Sequence, residues 1–279
     1  MVFRKVLCAS AVVVLCVLAV SVSGCAGENH IETEDAGGVD EVVYTQDTPI
    51  EDVANDPAFG GDGRYLFPID KGYMSGSTLG SLGLAWYSHI DPEETVAIAN
   101  HLRQESVSGE PVFLRIYTPE EIAAEPWKGD TCLVFFRGDP GARTAICNAG
   151  GGFAYVGAMQ DSFPVAYELS KRGFNAFALI YRPGAQPACE DLARAIAYLF
   201  AHAGELRIDM DGYSLWGGSA GARMAAWVGT HGTQAFGAAP CPKPAAVIME
   251  YTGLSEVTGG EPPTYSVVGT ADGIANWRT

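Results

Sequence analysis

The sequence predicts an α/β domain with a mainly parallel sheet and helices on both faces, a three-layer sandwich. Three observations carry that prediction. From residue 163 onward, strand-like and helix-like stretches alternate, the pattern of consecutive βαβ units. Phe174 to Tyr181 is a continuous apolar run, as expected of a strand covered on both faces. Glu190 to Ala203 places Leu192, Ala195, Ile196, Leu199 and Phe200 on one helical stripe.

Taken in order, the chain first gives a Gly- and Ser-rich stretch, Gly60 to Ser88, that reads as irregular. Glu93 to Leu102 has a short helical pattern. Pro111 to Tyr117 alternates, with Val112, Leu114 and Ile116 opposite Phe113, Arg115 and Tyr117, and so predicts a strand. Thr131 to Phe136 and Ala145 to Cys147 predict two more. Phe163 to Lys171 is helical and stops before Gly173, a natural position for a left-handed helix end. Strands follow at 174–181, 213–216, 245–251 and 264–269, with helices at 190–203 and 220–228 between them. No repeat at solenoid spacing interrupts this order.

The N-terminus reads as an address. Arg4 and Lys5 precede an uncharged apolar run from Val6 to Val22, and Val22-Ser23-Gly24-Cys25 closes it with small residues. The ending resembles a bacterial lipobox, which implies cleavage before Cys25 and lipidation of its thiol. The alternative is an uncleaved membrane helix. Both place the bulk of the chain outside the cytoplasm, because the positive end stays inside. Between residues 26 and 57 there are ten acidic residues and no Lys or Arg, the composition of a self-repelling tether. The predicted organisation is a signal at 1–24, an acidic disordered tether at 25–60, an irregular extension at 61–110, and the α/β domain at 111–279. A net charge of −16 gives no general pull toward nucleic acid. Beyond the leader, Cys132, Cys147, Cys189 and Cys241 allow either disulfides or buried thiols.

The chemistry centres on Gly217-Gly218-Ser219-Ala220-Gly221, a G-x-S-x-G between an apolar strand and an Ala-rich helix. That setting is a nucleophile elbow. The turn is tight, so the residues two before and two after the serine must be small. Strain holds Oγ above the sheet, at a helix N-terminus that favours developing negative charge. Upstream, Gly150-Gly151-Gly152 can aim backbone N–H groups into a cleft without Cβ obstruction. The N–H of Ala220, next after the nucleophile, is the partner donor.

With these two motifs on it, the segment from about Pro111 resembles the α/β-hydrolase superfamily. Within that it resembles the acetyl esterase and lipase branch related to hormone-sensitive lipase and BD-FAE. The branch carries an HGGG-type oxyanion loop, and Ala149 stands here where the family has its histidine. The resemblance implies oxyanion donors at Gly151 and Gly152. It also implies a triad acid after a late strand, where Asp272 stands in Gly269-Thr270-Ala271-Asp272-Gly273. Glu250 is the substitute acid.

A serine hydrolase of this kind needs a histidine base. None of His30, His89, His101, His202 and His231 fits the family's place for it. His231 follows Ser219 by twelve positions, about 18 Å of helical rise. The sequence therefore predicts a base beyond Thr279 and a domain lacking its last strand and helix. The function that follows is hydrolysis of short-chain acyl esters, acetyl groups on polysaccharide included, through an acyl-enzyme. No metal or organic cofactor is implied. The partners expected are an ester substrate and, through the lipid anchor, a membrane. Two alternatives stay open: a catalytically inactive surface lipoprotein on this fold, and a serine peptidase.

Overall fold

The computed structural model describes residues 42–87, 89–252 and 257–275. The predicted signal, the lipidation site Cys25 and the first part of the acidic tether lie outside the described residues. In chain order the elements are α1 (Ile50–Ala54), β1 (Met74–Ser75), β2 (Gly83–Leu84), α2 (Pro92–Val107), β3 (Phe113–Leu114), α3 (Pro119–Ala124), β4 (Cys132–Phe136), β5 (Arg143–Asn148), α4 (Ser162–Lys171), β6 (Asn175–Ile180), α5 (Ala185–Leu206), β7 (Asp209–Gly218), α6 (Ala220–His231), β8 (Ala246–Glu250) and β9 (Thr264–Val267). Strands β1 and β2 form a small antiparallel ribbon, and the other seven form one sheet in the order β3-β4-β6-β5-β7-β8-β9. Strands β3 and β4 are antiparallel to their neighbours, whereas β6, β5, β7, β8 and β9 run parallel. The mainly parallel sheet read from the sequence is the one observed.

Burial explains the apolar runs. Every residue of β4 and β6 is buried, and so is β5 after its first. Helix α5 turns Leu192, Ala195, Ile196 and Leu199 fully inward. The connection from β5 through α4 to β6 moves one way along the sheet, and the connection from β6 through α5 to β7 moves the other. Right-handed crossovers then put α4 on one face and α5 and α6 on the opposite face. The direction reverses beside β5, so the carboxyl ends of β5 and β7 flank a topological switch point, where open α/β sheets place their ligands.

Two expectations are corrected. The acidic tether does not extend to residue 60. Tyr44, Ile50, Val53 and Phe59 are buried in the same core as the sheet, and Asp56 is held by Arg103 at 2.8 Å and by Tyr44. Apolar residues spaced among the acids supply the burial that the charge count concealed. The stretch from Gly60 to Ser88, read as irregular, contains the β1–β2 ribbon and 3₁₀ turns at Gly63–Leu66, Lys71–Tyr73 and Leu79–Ser81. Cys132, Cys147, Cys189 and Cys241 are free thiols, the first three buried. Among the described residues, no helix is long and apolar enough to cross a membrane.

Candidate active site

Ser219 joins β7 to α6 with φ +48° and ψ −114°, a left-handed backbone that an L-residue adopts only under constraint. The constraint is visible on both sides. A Cβ at Gly221 would enter the carbonyl of Asn148 on β5, and one at Gly217 would strike the backbone of Gly221. Helix α6 therefore leaves the sheet at van der Waals distance, and only glycine fits at either position. The Ser219 N–H donates to the Glu250 carbonyl at 2.9 Å, which fixes the turn against the end of β8.

The triple glycine lies directly against this elbow. A Cβ on Gly150 would be 3.1 Å from the Cβ of Ser219. Gly151 and Gly152 have φ +127° and +62°, and at Gly151 a side chain would run into the Tyr155 carbonyl. The loop closes on itself: Gly157 N–H donates to Gly150 O at 3.0 Å, and Ala154 N–H to Gly151 O at 2.9 Å. Ala149, in the place of the family histidine, is fully buried, and its carbonyl accepts from the Tyr181 hydroxyl at 2.6 Å.

Ser219, Gly151, Gly152 and Asp272 share one cavity of about 770 Å³. Ala220 begins α6, buried immediately behind the serine. Asp272 is exposed. Its Oδ1 accepts from Ile274 N–H at 2.7 Å and Ala275 N–H at 2.8 Å, and these donors draw its carboxyl below the usual range. One oxygen is thus engaged in its own turn. Glu250 does not line this cavity. It faces a crevice on the other side of the elbow with Asp161 and Trp216, and burial, with the Asp161 charge behind it, pushes its carboxyl up.

The wall also takes in Trp86, Tyr87, Gln160 and Tyr251, which sequence reasoning missed, and His89, which it set aside. Trp86 is 62% exposed, with φ +70°, and its ring packs on Tyr155, which in turn stacks on Tyr73. Asp161, also missed, is buried behind Gly150 and takes hydrogen bonds from Tyr87 and Tyr251. His89 is the described histidine that lines the cavity. His101 instead stacks on Phe136, His202 pairs with Glu205, and His231 faces a separate groove beside β8 and β9.

Residues 139–271 match the BD-FAE family model, which spans the triple glycine, the elbow and the approach to Asp272. No curated protein matches the sequence. Among solved structures, the acetyl ester-xyloside bifunctional hydrolase from Caldicellulosiruptor lactoaceticus superposes with a TM-score of 0.50 at 21% identity, over 60% of this chain and 77% of that one. Esterase 2 of Thermogutta terrifontis, phosphorylated by paraoxon, gives 0.44 at 22% identity, over 53% and 68%. MGS-M1, an α/β-hydrolase enzyme from a Medee basin deep-sea metagenome library, gives 0.42 at 22%, over 55% and 61%. The strand order, the elbow at the switch point and the likeness to the Caldicellulosiruptor hydrolase agree: the chain has the α/β-hydrolase fold, and over residues 139–271 it is similar to the BD-FAE family.

Proposed function

We propose that this protein is a serine carboxylic-ester hydrolase acting through an acyl-enzyme on short-chain acyl esters, acetyl esters of polysaccharides included. The observation that carries the reading is the strained Ser219 at the head of α6, with Gly150 packed on its Cβ and a cavity of about 770 Å³ in front. In this reading Ser219 Oγ attacks the acyl carbon as its proton passes to a histidine. The carbonyl oxygen becomes an oxyanion held by the N–H groups of Gly151, Gly152 and Ala220. Collapse expels the alcohol, which leaves with that proton, and water then hydrolyses the Ser219 ester by the same path in reverse. Asp272, kept ionised by its two backbone donors, orients the base and stabilises its positive form.

The sequence left the base without a residue. His89, the described histidine in the cavity, is the one to test. The acetyl preference draws on the Caldicellulosiruptor hydrolase, named for an acetyl ester-xyloside activity. An anchor through Cys25, holding the domain outside the cytoplasm, suits a polymeric substrate.

p-Nitrophenyl acetate turnover tests the reading. Ser219→Ala should lower kcat by at least ~10³-fold. His89→Gln should lower it comparably if His89 is the base, and leave it unchanged if a histidine outside the described residues serves. Equal rates for the wild type and Ser219→Ala would overturn the esterase reading. Ser219-dependent cleavage of a peptide in place of the ester would favour the peptidase, and inertness toward both would favour the binding lipoprotein.

A further inference from the structure

Asp161 immediately precedes α4, where an acid would ordinarily cap the helix. It makes no side-chain cap there and turns inward, with φ −131° and ψ −80°. Its carboxyl is buried, and one oxygen, Oδ2, accepts three hydrogen bonds: from Gly150 N–H at 2.5 Å, from the Tyr251 hydroxyl at 2.5 Å and from the Tyr87 hydroxyl at 2.8 Å. Those donors come from three separate parts of the site. Gly150 opens the triple-glycine loop. Tyr251 stands just past β8, with φ +38°. Tyr87 belongs to the segment before α2. The carboxyl lies behind the nucleophile: a Cβ on Gly150 would be 3.1 Å from Asp161 Oδ2 and equally far from the Ser219 Cβ, and one on Gly218 would be 2.6 Å from Oδ2.

Burying a carboxyl is costly, and here burial pushes it up despite its three donors. Helix α4 gains no cap from it. What it does hold is the first peptide of a loop that cannot hold itself. Three consecutive glycines have more backbone freedom than any other tripeptide, whereas an oxyanion hole works only if its donors are already aimed. The loop's carbonyls are tied by Gly157 and Ala154, but its leading N–H is tied only to Asp161 among the described residues.

We propose that Asp161 is a positioning residue. It fixes the Gly150 peptide, with its own carboxyl held by Tyr87 and Tyr251, and so aims the N–H groups of Gly151 and Gly152 at the site of the oxyanion. The inference rests on the acyl-enzyme reading. An interaction realised only in the transition state acts on kcat and not on KM, which separates positioning from substrate binding.

The test is steady-state turnover of p-nitrophenyl acetate by the full chain, with active sites counted by paraoxon titration. The variants are Asp161→Ala, Asp161→Asn, Tyr251→Phe and Ser219→Ala. Asp161→Ala should lower kcat per titrated site by about 10²-fold, the scale of a lost oxyanion donor, with KM within about twofold. Asp161→Asn keeps an oxygen acceptor and should regain part of that loss. Tyr251→Phe keeps its ring and should lower kcat several-fold, and it decides the matter if Asp161→Ala fails to fold. Wild-type kcat per site in Asp161→Ala or, failing that, in Tyr251→Phe overturns the inference, as does a loss confined to KM. Absence of Ser219-dependent turnover in the wild type overturns the acyl-enzyme reading, and the inference with it.

Discussion

Gly221 shows how much of this site is decided by single missing side chains. Its absent Cβ would meet the Asn148 carbonyl, a backbone atom of a buried strand that cannot swing aside. Gly204, near the end of α5, has nothing within 4 Å of its missing Cβ. The same substitution should therefore act in opposite directions. Gly221→Ala should destabilise by about 2 kcal/mol or more, through overpacking against backbone. Gly204→Ala should stabilise by roughly 0.5–1 kcal/mol, because alanine loses less freedom than glycine on entering a helix. Thermal unfolding of both variants checks this, and a stable Gly221→Ala would show that α6 can move off the sheet. The contrast also explains which site residues were legible in the sequence. Ser219 was legible because its reason is local: two small residues on each side, a strand before and a helix after. Gly151 and Gly152 were legible for the same kind of reason. Asp161, Tyr87 and Tyr251 were not, because their hydrogen bonds span 11, 74 and 90 positions and no short pattern encodes them.

At the scale of elements, the existence of strands and helices was easier to read than their ends. Helix α5 runs from Ala185 to Leu206, well beyond the predicted 190–203. Pro187 marks its first turn, where a missing N–H costs nothing, and Arg207 ends it in a left-handed conformation. Strand β3 is shorter than the alternation of Pro111 to Tyr117 predicts, because only Phe113 and Leu114 find partners on β4. Periodicity reports a residue's preferred face, whereas ladder length is set by the neighbouring strand. Helix α2 extends to Val107, beyond the predicted end at Leu102, and docks through His101. The ring stacks on Phe136 and tilts against Tyr167, and its Nε2 is buried with no partner among the described residues. Burial lowers the His101 pKa; Glu105 opposes this and Lys171 adds to it. The folded state thus resists a proton that the unfolded chain accepts near its ordinary pKa of about 6.5. Stability should be full above that value and fall as the pH drops through the window below it. His101→Phe removes the titration, so its Tm should fall less than that of the wild type between pH 8 and pH 5.5. An identical fall in both would place the acid sensitivity elsewhere.

The whole molecule is tied by a charge that no element holds alone. Arg182, just past β6, is 2% exposed, and Asp191 on α5 is fully buried. They meet through Arg182 Nε at 2.9 Å and Nη2 at 2.7 Å, and Asp191 also takes the backbone N–H of Arg182 at 2.8 Å. The same carboxylate accepts from the Tyr117 hydroxyl at 2.6 Å and from Thr131 at the mouth of β4. One buried acid thereby joins the segment after β3, the start of β4, the end of β6 and the first turns of α5. Removing only the cation leaves that acid uncompensated in the interior, so Arg182→Met should cost about 3–5 kcal/mol. That is a large share of a domain's usual margin of roughly 5–15 kcal/mol. Removing both charges, in Arg182→Met with Asp191→Leu, deletes the stranded carboxylate. It still orphans the Tyr117 and Thr131 hydroxyls and the backbone N–H of residue 182, each worth about 1–3 kcal/mol when buried without a partner. The double variant should therefore be more stable than Arg182→Met, yet less stable than the wild type, with a coupling above about 1 kcal/mol between the two sites. Urea unfolding at neutral pH measures all three proteins, and an unchanged m-value would show that the loss lies in the folded network and not in a partly opened domain. A double variant no better than Arg182→Met would mean that the four segments are held by the neutral donors around Asp191, with the ion pair contributing little.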